Sequence, residues 1–319
     1  MSKWDCVVFG ELCVDLPIRP LVMNQPLEGF ELLRIDPIQP GGGGIVANSG
    51  VALARLGTNV TAVAAIGNDF FGRVLLDNFE AEGLDTSNII QRDDRPTSHT
   101  AVLIGDDGEH TFAFYAGASR TLDKQTMLES LDVFAESRYA LFGYYGSGSF
   151  DEHNLSTAFQ AIRATGCKVA MDASAGGGSM NPLAEILPHV DIYVPSLIEA
   201  TSQTQQNSPR EMIETFRQLN SEALLGIKLG TDGVLLSPEP DEFIQVPAIK
   251  APGHVVDTTG AGDSFYAGLI AGLCRGLAIP EAARIGTAAG ACCVTEIGAA
   301  TGIKDFDETR RLAGVEMSN

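Results

Sequence analysis

From about residue 120 onward the chain alternates short apolar runs with longer amphipathic segments, and this rhythm limits the possible folds more than any other feature. Runs at 139–142, 168–171, 191–194 and 224–229 are short and apolar on both faces, while 152–164, 209–219, 262–275 and 281–296 carry helical periodicity. A strand apolar on both faces must be covered on both faces, and strands separated by helices pair in parallel. The N-terminal part extends the pattern. Residues 4–10 and 60–66 predict strands, 71–81 predicts a helix, and 44–56, closed by Gly57, predicts a buried helix ending on glycine. The expected architecture is α/β in three layers, with a mostly parallel central sheet and helices on both of its faces.

Two stretches do not fit this rhythm. Residues 11–40 are irregular, with Leu33 and Ile35 alternating against Arg34 and Asp36 as a half-exposed strand would. At 99–115 two alternating runs flank Asp106-Asp107-Gly108, a hairpin signal. These pieces are expected to leave the main sheet as a small β-sheet lid. The organisation predicted is a core of 1–11, 41–95 and 118–319 and a lid of 12–40 and 96–117. Lid strands carry open edges, so a homodimer formed through the lid is expected. No internal repeat or low-complexity linker is present.

Composition removes several classes of function. Lys and Arg total 21 against 41 Asp and Glu, a net charge of −20, which repels nucleic acid and anionic membrane surfaces. With 45% hydrophobic residues, the chain has ample material for a core. No apolar run reaches the roughly 20 residues of a membrane helix, and Asp5 and Glu11 interrupt the first apolar stretch, so no signal peptide is read and a cytoplasmic setting is expected. Cys6, Cys13, Cys167, Cys274, Cys292 and Cys293 lack C-x-x-C spacing and read as reduced core residues. The five histidines are dispersed, which argues against a zinc centre.

The segment richest in chemical information is Asp257-Thr258-Thr259-Gly260-Ala261-Gly262-Asp263-Ser264, at the start of the 262–275 helix. A helix start offers unpaired N–H groups and partial positive charge, and bare glycine backbone lets an anion reach them. Asp263 has two readings: a carboxylate favoured in any first helical turn, or a general base beside a group in transfer. Gly41-Gly42-Gly43-Gly44-Ile45-Val46-Ala47-Asn48 is a second glycine run entering a helix. No Gly-Lys-Ser/Thr follows it, so it is not a P-loop, and Gly10-Glu11-Leu12-Cys13 lacks the dinucleotide fingerprint. Asn48, inside a buried helix, needs hydrogen-bond partners, which a polyhydroxylated ligand or a neighbouring loop would supply.

Gly43-Gly44-x-x-x-Asn48 followed by Val51-Ala52-Leu53-Ala54-Arg55-Leu56-Gly57 resembles the first signature of the ribokinase-like (PfkB) carbohydrate kinases. Asp257 through Phe265 resembles the second. Their order and separation agree, and the likeness runs from Val7 to about Gly302. The resemblance implies the ribokinase-like fold and ATP-dependent transfer of a phosphoryl group to a hydroxymethyl group of a small sugar, with Mg²⁺. It implies Asp263 as catalytic base, Gly260, Ala261 and Gly262 as anion hole, and Asp15, Gly43, Gly44 and Asn48 as sugar contacts. Lys228, Gly230 and Gly233 resemble the nucleotide-binding turn, and Thr287 falls where some relatives contact adenine. Asp257 and Thr259 resemble part of a monovalent-cation (K⁺) site. A nucleoside kinase of the same fold and a catalytically silent sugar-binding regulatory protein are the competing readings.

The sequence departs from the family pattern in three places. Ser196-Leu197-Ile198-Glu199 stands where the family often has N-x-x-E, linked to Mg²⁺ through water. Glu199 remains, and Ser196 suits a helix cap. Asp172-Ala173-Ser174 departs from the D-P-N run of fructokinase-like and ketodeoxygluconate-kinase-like members, and His110 replaces a frequent arginine.

Overall fold

The first strand shows why the sheet is central: Val7 and Phe9 pack into one hydrophobic layer, and Cys6 and Val8 into the other. Two layers fed by alternate residues require cover on both faces. The computed structural model describes residues 2–22, 32–105, 110–146, 155–174 and 177–316. Its strands are β1 Trp4–Gly10, β2 Cys13–Leu21, β3 Gly41–Gly43, β4 Val60–Val63, β5 Ala65–Gly67, β6 Ile90–Arg92, β7 His99–Gly105, β8 His110–Tyr115, β9 Ser137–Tyr145, β10 Lys168–Ala173, β11 Ile192–Tyr193, β12 Leu224–Lys228, β13 Val234–Ser237 and β14 Ile244–Val246.

Eight strands form the main sheet in the order β14-β13-β12-β11-β10-β9-β1-β4. Every pairing from β4 to β12 is parallel, and β13 and β14 close the far edge antiparallel. One face is covered by the helices Gly44–Arg55, Ala261–Cys274 and Ile279–Cys293, and the other by helices that include Leu155–Ala164 and Pro209–Arg217. The helix Ala261–Cys274 is buried continuously from Asp263 to Gly272. It can lie that deep because Gly268 meets the backbone of Gly286 and Gly272 that of Ala282, where an added Cβ would come within 2.7 and 2.8 Å.

A second, four-stranded sheet has the order β3-β2-β7-β8, with β2 and β7 parallel and the other pairs antiparallel. β7 and β8 form the expected antiparallel pair; their turn, Asp106-Asp107-Gly108, lies outside the described residues, as do 23–31. Gly41–Gly43 belongs to this small sheet, so it extends past the expected boundary at 40. The strand expected around Leu33 and Ile35 is absent: residues 32–40 are irregular, and Leu32 and Ile35 are exposed. Among the described residues the backbone of this stretch meets β2 at a single point, where the Asp36 N–H donates to the Arg19 carbonyl at 2.7 Å, too little to form a ladder. The single strand expected at 60–66 is two, because β5 leaves the main sheet to pair with β6.

Several short helices carry too few turns to show a period. Lys124–Glu129, Leu197–Thr204 and Phe306–Ala313 are instead marked by caps: Asp123, Ser196 and Asp305 accept the N–H three residues on. Among the described residues no helix is long and apolar enough to cross a membrane. All six cysteines are free.

Candidate active site

The helix Ala261–Cys274 begins on Gly260 in the left-handed conformation, φ 76°. A Cβ there would lie 2.1 Å from that of Ala299, so only glycine fits. Ser264 Oγ donates to the Ala299 carbonyl at 2.9 Å and Cys293 Sγ donates to it at 3.0 Å, which fixes the facing loop. The first turn leaves the N–H groups of Gly262 and Asp263 without intrahelical acceptors and adds the positive end of the helix dipole.

Asp263 is buried beside those amides. Its Oδ2 accepts from Asn48 Nδ2 at 2.9 Å and from the Tyr144 hydroxyl at 3.0 Å. Ser49 Oγ donates to the Asp263 carbonyl, locking the helix Gly44–Arg55 to this turn. Oδ1 is buried with no hydrogen-bond partner among the described residues. Burial pushes the carboxyl above its ordinary range, with nearby Glu199 adding to the shift; the Asn48 amide, the Lys228 charge and the Tyr144 hydroxyl oppose it. A carboxylate with one satisfied oxygen and one unsatisfied oxygen is oriented and still able to take a proton.

Below it lies a buried ion pair. Lys228 Nζ, at the end of β12, donates to Asp172 Oδ1, at the end of β10, at 2.8 Å. Burial lifts Asp172 to about 7 against the pull of Lys228, while burial lowers Lys228 and the carboxylates of Asp172 and Glu199 more than offset this. The ammonium therefore does not serve the glycine turn that follows it in sequence.

A cleft of about 640 Å³ opens between the small sheet and the core, walled by Asp15, Gly41, Gly42, Asn48, Val102, Phe112 and Thr259 among others. Gly43 lies against Asp15, whose carboxylate would be 2.2 Å from an added Cβ. Burial raises the Asp15 carboxyl, partly offset by bonds from Thr100 and Cys13. The two arginines on the cleft wall are engaged: Arg19 lies 3.6 Å from Asp36, and Arg55 donates to Glu82 at 2.6 Å and to the carbonyls of Ala300 and Thr301.

The pfkB family carbohydrate kinase model matches residues 5–305. The chain belongs to the PfkB family of carbohydrate kinases. The members of this family are phosphotransferases acting on an alcohol group. The chain is 29% identical over 308 residues to the ribokinase of Haemophilus influenzae, covering 95% of this chain and 96% of that one. Its fold superposes on Arabidopsis thaliana ribokinase complexed with ribose and ATP, with a TM-score of 0.85, 23% identity and coverage of 99% and 100%. Adenosine kinase from Sinorhizobium meliloti shares the fold, with a TM-score of 0.82, 22% identity and coverage of 98% and 100%.

In this PfkB kinase the remaining residues singled out from sequence divide into two groups. Asp257 is near the helix start: its carboxylate accepts from the N–H of Thr259 at 2.9 Å and of Gly298 at 3.4 Å, bracing the loop. Glu199 is committed to a capping box, with Oε2 accepting the Ser196 N–H at 2.7 Å, yet it lies close enough to act on the charges of Asp172 and Asp263. Gly230 and Gly233 form a separate turn, Gly230–Asp232, in which a Cβ on Gly233 would meet the Val246 carbonyl at 2.1 Å. Thr287 bonds back to the Arg284 carbonyl on its own helix. Of the residues singled out from sequence, Asp15, Asn48, Asp257 and Thr259 line the cleft; the turn and Thr287 do not, and neither do Gly43, Gly44, Asp263 and the Gly260–Gly262 backbone. Tyr144 and the pairing of Asp172 with Lys228 were not legible in the sequence: Tyr144 lies just beyond the apolar run 139–142, and the pair joins strand ends 56 residues apart.

Proposed function

We propose that the chain is an ATP-dependent kinase that phosphorylates a hydroxymethyl group of an uncharged polyol, a small sugar in the first place. The observation that carries this reading is Asp263 Oδ1, a buried carboxylate oxygen without a partner among the described residues, beside the open amides of a helix start. With the γ-phosphate at that helix start, the acceptor hydroxyl loses its proton to Asp263 as its oxygen meets phosphorus. The amides of Gly260 and Gly262 take up the charge of the phosphoryl group, joined by that of Ala261 if it leaves its long 3.4 Å bond to the Thr258 carbonyl. Asp15 and Asn48 suit sugar hydroxyls, and Gly43 and Gly44 keep the backbone clear for them. Closure of the small sheet, β2, β3, β7 and β8, would exclude water as a competing acceptor.

Mg²⁺ supplies charge neutralisation when bound with ATP. The ion would be carried by the phosphates and reached by Glu199 through water. Asp257 and Thr259 would hold K⁺ largely through backbone oxygens. A second copy pairing along the open edge of β8 would give the homodimer, which light scattering at micromolar concentration checks.

The acceptor is uncharged because the cleft arginines are engaged, and 23–31 and 106–109 contain neither lysine nor arginine. Val102, Ile104 and Phe112 give the cleft an apolar wall, which favours a nucleoside as the second reading. The test is ADP release with ribose, fructose, ketodeoxygluconate, adenosine and fructose 6-phosphate, with and without K⁺. A neutral sugar or nucleoside is expected to be phosphorylated, and preference for the charged acceptors would contradict the reading.

A further inference from the structure

We propose that Lys228 is a catalytic residue of this kinase: its ammonium contacts the phosphoryl group in flight at the start of the helix Ala261–Cys274, and Asp172 holds it ready there. The proposal rests on the reading of that helix start as the site of phosphoryl transfer.

The Lys228 side chain is 14% exposed and that of Asp172 is 4% exposed. A buried ion pair adds little stability over a well-packed apolar pair, so its presence beside a reactive carboxylate calls for another explanation. Gly262 supplies one. Its φ is not positive, so the backbone does not require glycine there, unlike at Gly260. A Cβ on Gly262 would lie 3.0 Å from Lys228 Nζ and 4.0 Å from Asp172 Oδ2. The missing side chain therefore opens the helix start to the ammonium, and the cation lies against the same backbone that offers its amides to an anion.

The lysine is also held in place. Nζ lies 5.1 Å from the centre of the Tyr266 ring. That ring is fixed at its far end, because the Tyr266 hydroxyl donates to the Met171 carbonyl at 2.6 Å and accepts the Val194 N–H at 2.7 Å. The carboxylates of Asp172, Glu199 and Asp263 all act on the charge of the ammonium, and Asp172 touches it. A triphosphate entering such a site meets repulsion from all three, and Lys228 supplies the opposing charge. In the transfer step the acceptor oxygen bonds to the γ-phosphorus, and the bond from phosphorus to the β–γ bridging oxygen breaks. The electron pair stays on ADP and the proton goes to Asp263. Lys228 remains protonated throughout and donates hydrogen bonds to the transferring oxygens.

The competing explanation is that Lys228 only neutralises Asp172. Calorimetry separates the two on the wild type, Lys228→Met and the double variant Asp172→Asn/Lys228→Met, titrated with Mg-ADP alone and with Mg-ADP plus aluminium fluoride, which mimics the phosphoryl group in flight. The expected result is that aluminium fluoride tightens ADP binding to the wild type, that this tightening falls ~100-fold in both variants, and that ADP alone binds all three about equally. The double variant removes both partners of the ion pair, so Asp172 is not left as a buried unpaired charge, and it carries the test if Lys228→Met fails to fold. A folded double variant that keeps the wild-type tightening overturns the proposal, as does a wild type that shows none. Loss of binding to ADP alone in both variants also overturns it, by assigning Lys228 to the resting nucleotide. A wild type that responds to aluminium fluoride but phosphorylates no alcohol instead defeats the kinase reading and leaves the role of Lys228 standing.

Discussion

Two helices of this kinase begin on glycines and meet at one carboxylate, but their glycines answer different demands. Gly260 caps its helix at φ 76°, and a Cβ there would overlap Ala299. Gly43 caps the other at φ −131°, which any residue can adopt, and what excludes a side chain there is the Asp15 carboxylate. The first turn after Gly260 carries Asp263, while the first turn after Gly43 carries no acid, and its helix contributes the Asn48 amide instead. In the proposed reaction one start would present amides and a base to an anion. The other supplies a donor to that carboxylate and, in the same proposal, would leave room for an acceptor. Similar glycine runs therefore differ in function according to what faces them.

Gly260→Ala is the strongest way to break this comparison. The left-handed conformation costs an L-residue about 1–2 kcal/mol, and the overlap with Ala299 adds to this, so a lowered melting temperature and loss of most turnover are expected. Gly43→Ala is expected to change stability less and to act on the acceptor: its KM should rise ~10-fold or more while ATP affinity holds, because the Asp15 carboxylate must move. Equal destabilisation by the two substitutions would erase the distinction.

Asn48→Ala sharpens the comparison from the other side. Removing a donor to an ionised carboxylate is worth a ~10–100-fold loss in kcat. The Asn48 bond favours the ionised form of Asp263, so losing it raises a pKa that burial has already raised. More enzyme is then protonated at a given pH, and the acid limb of the kcat/KM profile should move to higher pH. Tyr144→Phe should move that limb in the same direction by less, with a loss in kcat of about 10-fold or below, since its hydroxyl opposes the shift less than the amide does. A limb that stays fixed in both variants would show that neither donor acts through Asp263.

Most of the fold was legible because buried parallel strands and amphipathic helices leave strong periods. The core strands β1, β10 and β12 and the helices after Gly44 and Gly260 lie close to their expected limits, while β9, expected at 139–142, runs on to Tyr145. The small sheet was harder. Its half-exposed alternation also occurs in irregular chain, so Leu33 and Ile35 suggested a strand where none forms, while three glycines with no side chains to alternate form β3. At the site, the glycine motifs pointed to Asp263, Asn48 and Asp15, but not to the bond from Asn48 to Asp263 across 215 positions. Lys228 was read with the turn that follows it, because nothing local shows a long side chain turning back to Asp172 on another strand.

If Asp263 accepts a proton as the phosphoryl group moves, Asp263→Asn should stop turnover and little else. The substitution preserves shape and the bonds to Asn48 and Tyr144 while removing the base. With kcat followed by ADP release and ATP affinity by calorimetry, kcat is expected to fall ~1,000-fold or more while ATP binds about as tightly as before. Turnover within about tenfold of the wild type, in a folded variant that binds ATP, would contradict the account.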